Sequence, residues 1–224
     1  MNHVKTNELF DLEKTLARDF LSQFEYPWEA LPHIKEFILQ LGETLSKEEY
    51  DHPAETVWIS KKAEVAPSAH IEGPAVIGPE TQIRHCAFIR GSVLIGAGCV
   101  VGNSTEMKNS IIFDKVQIPH FNYVGDSILG YRAHMGAGAV TSNVKSDRTF
   151  VTVRTDGEQI VSNMKKLGAI LGDYAEIGCN TVLNPGTIVG KHTNVYPCSC
   201  VRGVIPRDSI YKSNGKIVKK TERI

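Results

Sequence analysis

Apolar residues recur at every sixth position along most of the chain. From Ile59 to Met107, nine positions spaced six residues apart all carry an aliphatic residue or methionine. The series resumes after a one-residue slip at Ile112, and further changes of register carry it through Leu129 and from Leu171 onward. A period of six fits neither the 3.6-residue repeat of a helix nor the alternation of a simple strand. It predicts short extended segments that each end in a bend, with three segments closing one coil.

Small residues often follow the repeated aliphatic residue, for example Ala66, Gly78, Gly96 and Gly102. A small residue is expected where the chain turns around the corner of a narrow prism, because a larger side chain would crowd that corner. Coils of this kind stack and hydrogen-bond along one axis, so several are needed for stability. The pattern therefore predicts a mainly β protein in which residues 53–205 form a parallel β-helix.

Residues 1–52 follow a helical spacing instead. Leu9, Leu12 and Leu16 lie three or four residues apart, and a second apolar stripe follows Pro32. Such stripes predict two or three amphipathic helices that pack against the rest of the protein. The polar sequence KEEYDHPAET that comes next predicts a linker into the β-helix.

Two further segments depart from the repeat. The hexads stop over residues 141–166, where TFVTVRTDGEQIVSN alternates apolar and polar residues around Asp156-Gly157. This pattern predicts a protruding β-hairpin arm. In residues 206–224, the sequence SIYKSNGKIVKK predicts a second hairpin that turns at Asn214-Gly215 and leaves the coil axis.

The charge balance and the cysteines narrow the class of protein. The 25 basic and 25 acidic residues cancel, so we expect neither nucleic acid nor an anionic membrane surface as a partner. The N-terminus lacks a signal-peptide pattern, and no apolar run approaches the ~20 residues that span a bilayer. We therefore expect a cytoplasmic protein. Five cysteines without a CxxC pair indicate neither a disulfide framework nor a zinc ribbon, and we expect buried free thiols.

Several ionisable residues gather where the register of the repeat slips. Arg90 and Lys108 are eighteen residues apart, which predicts vertical neighbours about 4.8 Å apart that repel unless an anion lies between them. A phosphate-binding pair and a pair of solvated surface charges both fit this spacing. Glu106, His120 and Tyr123 bring an acid, a base and a phenol to the same region. Irregularities in a regular fold are where functional sites are expected.

Several sequence segments resemble those of a known family. VGNSTEMKNS, HFNYVGDSILG and HMGAGAVTSNV resemble the acetyltransferase half of the bacterial bifunctional enzymes that acetylate and then uridylylate glucosamine-1-phosphate. The segment SNMKKLGAILGDYAEIGCNTVLNPGTIVG resembles the corresponding half of archaeal sugar-1-phosphate nucleotidylyltransferase/acetyltransferases, which also carry the hairpin arm. The resemblance covers residues 75–205. It implies a left-handed β-helix and a homotrimer with the active site between neighbouring subunits.

The resemblance also implies a role for individual residues. His120 is the implied general base, and Glu106 and Asn143 lie near the sugar and its reacting amine. His134 stands where the bacterial family has a substrate-binding asparagine, which leaves the identity of the sugar open. The remaining implied contacts are Arg90, Lys108 and Lys166 to the sugar phosphate, Tyr123 to the sugar, Ala137 and Cys179 to the acetyl-CoA arm, and Lys212 to a CoA phosphate.

These features predict an acetyl-CoA-dependent N-acetyltransferase for a phosphorylated amino sugar such as glucosamine-1-phosphate, in UDP-N-acetylglucosamine biosynthesis. An amine attacks a thioester only as its free base, and histidine, with an ordinary pKa near 6.5, suits the proton transfer. Glu106 could orient the ring of His120 or hold the amine. The oxyanion is expected to meet a backbone N–H near residues 136–138. No metal and no covalent acyl-enzyme are expected.

Three alternatives remain open from the sequence. A zinc carbonic anhydrase on the same fold needs converging histidines, and no close pair at ligand spacing is present. A non-catalytic sugar-phosphate-binding or regulatory partner of a nucleotidylyltransferase would keep the fold without the activity. A different sugar acceptor is the third alternative, which the histidine at position 134 keeps open. Uridylylation is not expected, because the chain has no α/β half and no glycine-rich nucleotide loop before the coils. The histidines that a zinc site could use as ligands are His85, His120, His134 and His192.

Overall fold

Short parallel strands stacked in coils form the body of the protein. A computed structural model describes residues 2–155 and 157–221. The helices are the 3-10 helix Asn2–Val4, α1 (Thr6–Leu9), the 3-10 helix Leu12–Lys14, α2 (Arg18–Leu21), the 3-10 helix Pro27–His33 and α3 (Ile34–Thr44). The strands are β1 (Tyr50–Ala54), β2 (Val57–Ser60), β3 (Glu64–Val65), β4 (His70–Glu72), β5 (Ala75–Ile77), β6 (Gln82–Ile83), β7 (Phe88–Arg90), β8 (Val93–Ile95), β9 (Val100–Asn103), β10 (Glu106–Ile112), β11 (Gln117–His120), β12 (Tyr123–Leu129), β13 (His134–Met135), β14 (Val140–Thr141), β15 (Thr152–Thr155), β16 (Glu158–Val161), β17 (Ala169–Leu171), β18 (Glu176–Ile177), β19 (Val182–Leu183), β20 (Thr187–Val189), β21 (Asn194–Val195), β22 (Cys200–Val201), β23 (Val204–Ile205), β24 (Ser209–Tyr211) and β25 (Ile217–Lys219).

The strands form three faces of a prism. The first face contains β2, β5, β8, the second halves of β10 and β12, β17, β20 and β23. The second face contains β3, β6, β9, β11, β13, β18, β21 and β24. The third face contains β4, β7, the first halves of β10 and β12, β14, β19 and β22. All of these pairings are parallel, and the predicted β-helix of six-residue repeats is confirmed.

The repeated aliphatic residues point into the prism. From Ile77 to Val201 every one of them is buried, including those after the slip at Ile112. Ile59, Val65 and Ile71 are more exposed, because they belong to the first coil and no further coil covers that end. The central column therefore consists of stacked aliphatic side chains, whose burial is the main source of stability in such a fold.

The N-terminal helices cover the first face of the prism. Ile34 and Ile38 of α3 are fully buried, and α3 packs against β5, β8 and β10. The ring of Phe10 lies 4.9 Å from that of Phe113 between centroids. The predicted packing role of these helices is confirmed, and among the described residues their main strand contacts are with β5, β8, β10 and β12. No helix in the described part of the chain is long and apolar enough to cross a bilayer.

The predicted linker is wrong in one respect. Residues Tyr50–Ala54 form β1, which pairs antiparallel with β2 and opens the first face. Proline is tolerated there because β1 is an edge strand, where one side of the backbone needs no hydrogen-bond partner.

The arm is a β-hairpin, as predicted. β15 and β16 pair antiparallel from Thr152↔Val161 to Thr155↔Glu158, and the predicted turn residue Asp156 lies outside the described residues. The inner side of the arm is buried through Val151 and Val153, so the hairpin lies along the prism instead of projecting freely.

The C-terminal hairpin leaves the coil axis later than predicted. β24 still pairs parallel with β21 as part of the second face. Only β25 turns back, antiparallel to β24, after a turn in which Gly215 has a φ of 80°.

The cysteines are free thiols, as predicted, but most of them are not buried. Burial raises the pKa of the Cys99 thiol to about 12. The prediction of burial is wrong for Cys86, Cys179, Cys198 and Cys200, which are exposed. Cys86 and Cys198 occupy corners of the prism with positive φ values, and their side chains are exposed there.

Gly102 allows the coils to approach each other at β11. A Cβ atom at this position would lie 1.5 Å from the carbonyl oxygen of Pro119. Backbone cannot yield as a flexible side chain can, so we expect Gly102→Ala to lower the free energy of unfolding by about 3 kcal/mol. Urea unfolding followed by circular dichroism measures the change.

The matched control for this substitution is Gly157→Ala. No heavy atom lies within 4 Å of a Cβ at Gly157, whose φ is +87°, so the control carries only the backbone cost of about 1 kcal/mol. Equal unfolding midpoints for the two variants would contradict the tight coil contact at Gly102.

Candidate active site

The outward-facing residues of the third face form two vertical columns. Side chains alternate along a strand, so Glu106 and Lys108 flank the buried Met107 and point away from the core. Met107 pairs with Ile89, which places Arg90 beside Lys108 on the next coil. The structure thus brings together the two cations that sequence spacing predicted to be neighbours.

Each of these cations already has a carboxylate partner. Arg90 Nη1 lies 2.6 Å from Glu106 Oε1, and Lys108 Nζ lies 3.0 Å from Asp126 Oδ2. The hydrogen bond to Glu106 and the charge of that carboxylate raise the pKa of Arg90. The repulsion that suggested a bound anion is therefore balanced by acidic groups of the protein itself. Glu106 Oε1 accepts from Arg90 Nη1, and among the described residues Glu106 makes no hydrogen bond to the ring of His120 that would orient it.

Asp126 is the residue that sequence reasoning missed. It is buried at the bend between the third and first faces, with a φ of 50°. Besides Lys108, its carboxylate accepts hydrogen bonds from the side-chain amides of Asn109, at 2.9 Å, and Asn143. Asp126 lies eighteen residues after Lys108, so the spacing rule that linked Arg90 to Lys108 could have found it.

Tyr123 and Asn143 extend this polar cluster toward the arm. Asn143 Nδ2 donates to the Tyr123 hydroxyl at 3.3 Å, and that hydroxyl lies over Gly125, where an added Cβ would be 2.5 Å from it. Burial raises the pKa of Tyr123, with Asp126 adding to this effect and Lys108 opposing it. The phenol therefore keeps its proton at neutral pH.

Lys166 lies at the base of the arm. It forms an isolated antiparallel bridge with Val144, and the N–H of the next residue, Leu167, donates to the Asn143 carbonyl at 3.0 Å. The side chain of Lys166 is exposed, and within residues 2–155 and 157–221 it forms no ion pair. The polar cluster of the third face therefore has one cation at its edge that no carboxylate balances.

His120 lies at the corner between the second and third faces. It ends β11, and Tyr123 opens β12 three residues later. Its side chain is exposed, and its ring has no hydrogen-bond partner among the described residues. The backbone is well fixed, because its N–H donates to Asn122 Oδ1 at 3.1 Å and its carbonyl accepts from Gly138 at 3.0 Å.

Ala137 and Cys179, the two residues predicted to contact the acetyl-CoA arm, lie on the same corner of the prism. Ala137 is one coil below His120 and Cys179 is two coils below it. Asn180 N–H donates to the Ala137 carbonyl, and Cys198 N–H donates to the Cys179 carbonyl, both at 2.8 Å. These bonds continue the ladder that begins at the carbonyl of His120. The three residues that resemblance assigned to the base and the acetyl-CoA arm therefore lie in one vertical row.

Ala137 carries a backbone N–H at this corner that makes no hydrogen bond within the described residues. Gly136 N–H donates to Ile177 and Gly138 N–H donates to His120, so both are engaged in coil-to-coil bonds. The N–H of Ala137 has no acceptor within the described ranges. Of the N–H groups in residues 136–138 that were predicted as oxyanion donors, the one at Ala137 is therefore the candidate.

An open groove of about 1200 Å³ runs down the second face from this corner. Gly136 and Gly178 are among its lining residues, and the stacking of the coils requires glycine at position 178, because a Cβ there would lie 2.4 Å from the nitrogen of Pro197. His134 lies in this groove, with Nδ1 2.9 Å from Glu176 Oε2. The structure therefore separates His134 from the third-face cluster. The lining includes His134, Gly136, Glu176, Gly178, Cys179 and Tyr196.

The far end of the groove carries cations from the C-terminal hairpin. Lys219 and Lys220 line it, whereas Lys212 does not. These two lysines give the open groove a positive charge that suits a phosphate-bearing ligand. No group of three His, Cys, Asp or Glu side chains that could hold a metal is found among the described residues.

The sequence profile of the GMPPB C-terminal domain family matches residues 71–218, which is most of the β-helix. The chain belongs to the GMPPB C-terminal domain family. This family region contains the third-face cluster, His120 and most of the second-face groove, whereas the N-terminal helices and the groove residues Lys219 and Lys220 lie outside it.

Relatives of this GMPPB C-terminal domain protein carry acetyltransferase names. The bifunctional protein GlmU of Methanococcus maripaludis is 30% identical over 206 residues, covering 91% of this chain and 50% of its own length. YaiX of Escherichia coli, named as an uncharacterized acetyltransferase, is 31% identical over 174 residues, covering 78% of this chain and 74% of its own length. The predicted family of hexapeptide-repeat acetyltransferases related to GlmU is thereby confirmed.

The match to GlmU proteins is partial in length. The chain spans between 29% and 50% of the length of the GlmU relatives. Among solved structures, a hexapeptide transferase family protein from Anaplasma phagocytophilum is similar with a TM-score of 0.43 and 15% identity, covering 75% of this GMPPB C-terminal domain chain and 80% of the other.

Proposed function

We propose that the protein transfers an acetyl group from acetyl-CoA to the amine of a phosphorylated amino sugar such as glucosamine-1-phosphate. The observation that carries this proposal is the corner at His120. There an exposed imidazole stands between an open groove on one face and a cluster of phenol, amide and cations on the other. Such a corner lets two substrates meet at a base.

The proposed reaction uses His120 as the general base. The amine nitrogen forms a bond to the thioester carbonyl carbon, the carbon–sulfur bond breaks, and the proton lost by the amine passes to the imidazole and then to the departing sulfur. The free N–H of Ala137 supplies a donor for the oxyanion that develops at the carbonyl. Acetyl-CoA supplies the activated acyl group, so no acyl-enzyme is required.

The acyl donor occupies the second-face groove in this proposal. Gly136, Gly178 and Cys179 line the groove in which the arm of acetyl-CoA would lie. Lys219 and Lys220 take the CoA phosphates in place of Lys212, because these two residues line the groove. In this arrangement His134, which lies in the groove, would contact acetyl-CoA and not the acceptor sugar.

The acceptor sugar occupies the third face in this proposal. Glu106, Tyr123 and Asn143 offer hydrogen bonds to its hydroxyl and amine groups. We assign the sugar phosphate to Arg90, Lys108 and Lys166. These three cations outnumber the partner carboxylates, Glu106 and Asp126, by one, so a phosphate must share Arg90 and Lys108 with them.

Oligomer and location belong to the same proposal. The uncovered second and third faces fit a homotrimer in which each site lies between two copies. We assign the activity to the cytoplasm, because acetyl-CoA and the sugar phosphate are supplied there. The reaction would then belong to UDP-N-acetylglucosamine biosynthesis. A nucleotidylyltransferase is the partner that would consume the product.

An acceptor panel tests the function. Purified protein is incubated with acetyl-CoA and either glucosamine-1-phosphate, glucosamine-6-phosphate, glucosamine or galactosamine-1-phosphate. We expect acetylated glucosamine-1-phosphate by mass spectrometry, at a kcat/KM at least about tenfold above that of glucosamine, because the phosphate contacts are charge-assisted. Mass spectrometry is preferred to thiol reagents, since four cysteines of the protein are exposed. Absence of acetylation of every amine would contradict the proposal.

One observation favours a second candidate function. The ring of His120 lacks a hydrogen-bond partner within the described part of the chain, and both stacked cations are balanced by carboxylates. A regulatory subunit that binds sugar phosphate without turnover would have the same features. Calorimetry with glucosamine-1-phosphate separates the two, because binding without product in the panel supports the regulatory role.

A further inference from the structure

We propose that the cleft between the arm and the third face is a binding site for a phosphoester group. This cleft is separate from the Arg90–Lys108 pair and does not depend on acetyl transfer for its existence. It has a volume of about 350 Å³. Its cationic and hydroxyl-bearing lining residues are Ser142, Lys145, Ser146, Thr152, Arg154 and Arg202.

Two arginines from different segments meet in this cleft. Arg154 belongs to the arm strand β15, and Arg202 follows β22 on the prism. The arm approaches so closely that a Cβ on Gly203, whose φ is +85°, would lie 3.0 Å from the Arg154 carbonyl oxygen. The positive φ and the close approach both require glycine beside Arg202. The fold thus holds two guanidinium groups on adjoining backbone segments.

Neither arginine has a carboxylate partner within the described ranges. This distinguishes them from Arg90 and Lys108, whose charges are balanced at 2.6 and 3.0 Å. Like charges on adjoining segments repel unless an anion lies between them. Arginine pairs also present forked donors that match phosphate oxygens.

The remaining groups of the cleft fit a phosphate dianion. Lys145 adds a third cation, and its partner Asp147, at 3.3 Å, is the acid of the lining. Three cations against one carboxylate leave a local charge of +2 in a chain whose net charge is zero. A phosphoester carries about −1.5 to −2 at neutral pH. The hydroxyls of Ser142 and Thr152 make no hydrogen bond to other described residues, so they are available to the ligand.

The acceptor sugar is the favoured source of this phosphate, in which case its single phosphate occupies the cleft instead of the position assigned above to Arg90, Lys108 and Lys166. Ser142 precedes Asn143, which belongs to the polar cluster of the third face, whereas the groove assigned to acetyl-CoA lies on the second face. Ser142 lies two coils below Lys108, about 10 Å along the axis. A phosphate in the cleft and one at Lys108 are therefore distinct positions.

The test compares phosphate binding by the full chain and three variants. Inorganic phosphate is titrated and followed by ³¹P NMR, and the variants are Arg154→Gln with Arg202→Gln, Gly203→Ala, and the control Arg148→Gln. Arg148 is an exposed arm residue that does not line the cleft. We expect the double variant to bind phosphate at least about tenfold more weakly, because two charge-assisted bonds are lost. Gly203→Ala should also weaken binding although it keeps every charge, and Arg148→Gln should change it less than twofold.

Two further titrations identify the source of the phosphate. If the acceptor supplies it, the preference for glucosamine-1-phosphate over glucosamine is lost in the double variant. If CoA supplies it, the preference for CoA over dephospho-CoA is lost instead. Both results support the site, and neither requires turnover, so a failure of the proposed acetyl transfer would be seen separately. Unchanged phosphate binding in a folded double variant overturns the inference.

Discussion

Replacing His120 with alanine is expected to lower kcat for acetylation of glucosamine-1-phosphate by about 10²–10⁴-fold, the usual contribution of a positioned general base. Acceptor binding should be unchanged, because the ring of His120 makes no hydrogen bond to the polar cluster in the described chain. The measurement is kcat and KM by mass spectrometry of the product, with the acceptor Kd from calorimetry. A higher KM with an unchanged kcat would contradict the role of His120 as the general base.

The chain offers a matched control for this variant. His85 is exposed and lies on the same corner, two coils above His120. Its carbonyl accepts a coil hydrogen bond from Ser104 at 3.2 Å, as the carbonyl of His120 accepts one from Gly138. His85→Ala should therefore have the same effect on stability and no effect on kcat. A similar fall in kcat for both variants would indicate a structural effect of the corner.

The regular part of the fold could be predicted from sequence because every coil obeys the same local rule. The aliphatic residue at each sixth position is buried from Ile77 to Val201. The slip in the repeat is also visible in the structure, since β10 pairs Met107 with Ile89 but Ile112 with Ile95. A solenoid translates sequence period into spatial neighbours directly, so the vertical pairing of Arg90 and Lys108 could be derived.

The irregular parts depend on tertiary contacts that no local pattern encodes. The polar segment at Tyr50–Ala54 becomes a strand only because β2 offers an unpaired edge. The alternation in the arm predicts a hairpin, but which surface buries Val151 and Val153 depends on the glycines opposite, at Gly186 and Gly203. The exposed cysteines reflect corner geometry that composition does not show.

The polar cluster shows a third kind of limit. The eighteen-residue spacing predicted that Arg90 and Lys108 lie side by side, and a bound anion was expected to offset their repulsion. The structure uses Glu106 and Asp126 instead. Within residues 2–155 and 157–221, Arg154 and Arg202 have no carboxylate partner, and both line a cleft between the arm and the prism. The position of an anion site therefore depends on which cations the protein leaves unbalanced.

Replacing Asp126 with alanine is expected to lower the free energy of unfolding by about 3–5 kcal/mol, the cost of leaving one partner of a buried ion pair alone. The side chains of Lys108 and Asp126 are only 20% and 7% exposed, so water cannot replace the lost carboxylate. The amides of Asn109 and Asn143 lose an acceptor as well. Urea unfolding measures the stability, and the acceptor KM should rise because Asn143 loses its anchor.

Glu13→Ala is the matched control for this last variant. Arg18 lies 3.0 Å from Glu13, the same distance as in the Lys108–Asp126 pair, but the two side chains are 58% and 62% exposed. An exposed pair contributes less than about 1 kcal/mol, because solvent screens it. Asp126→Asn keeps the shape and one oxygen acceptor, so its stability should fall between those of Asp126→Ala and the unmodified protein. If Asp126→Ala were no less stable than Glu13→Ala, burial would not govern this pair, and Asp126 would not position Asn143.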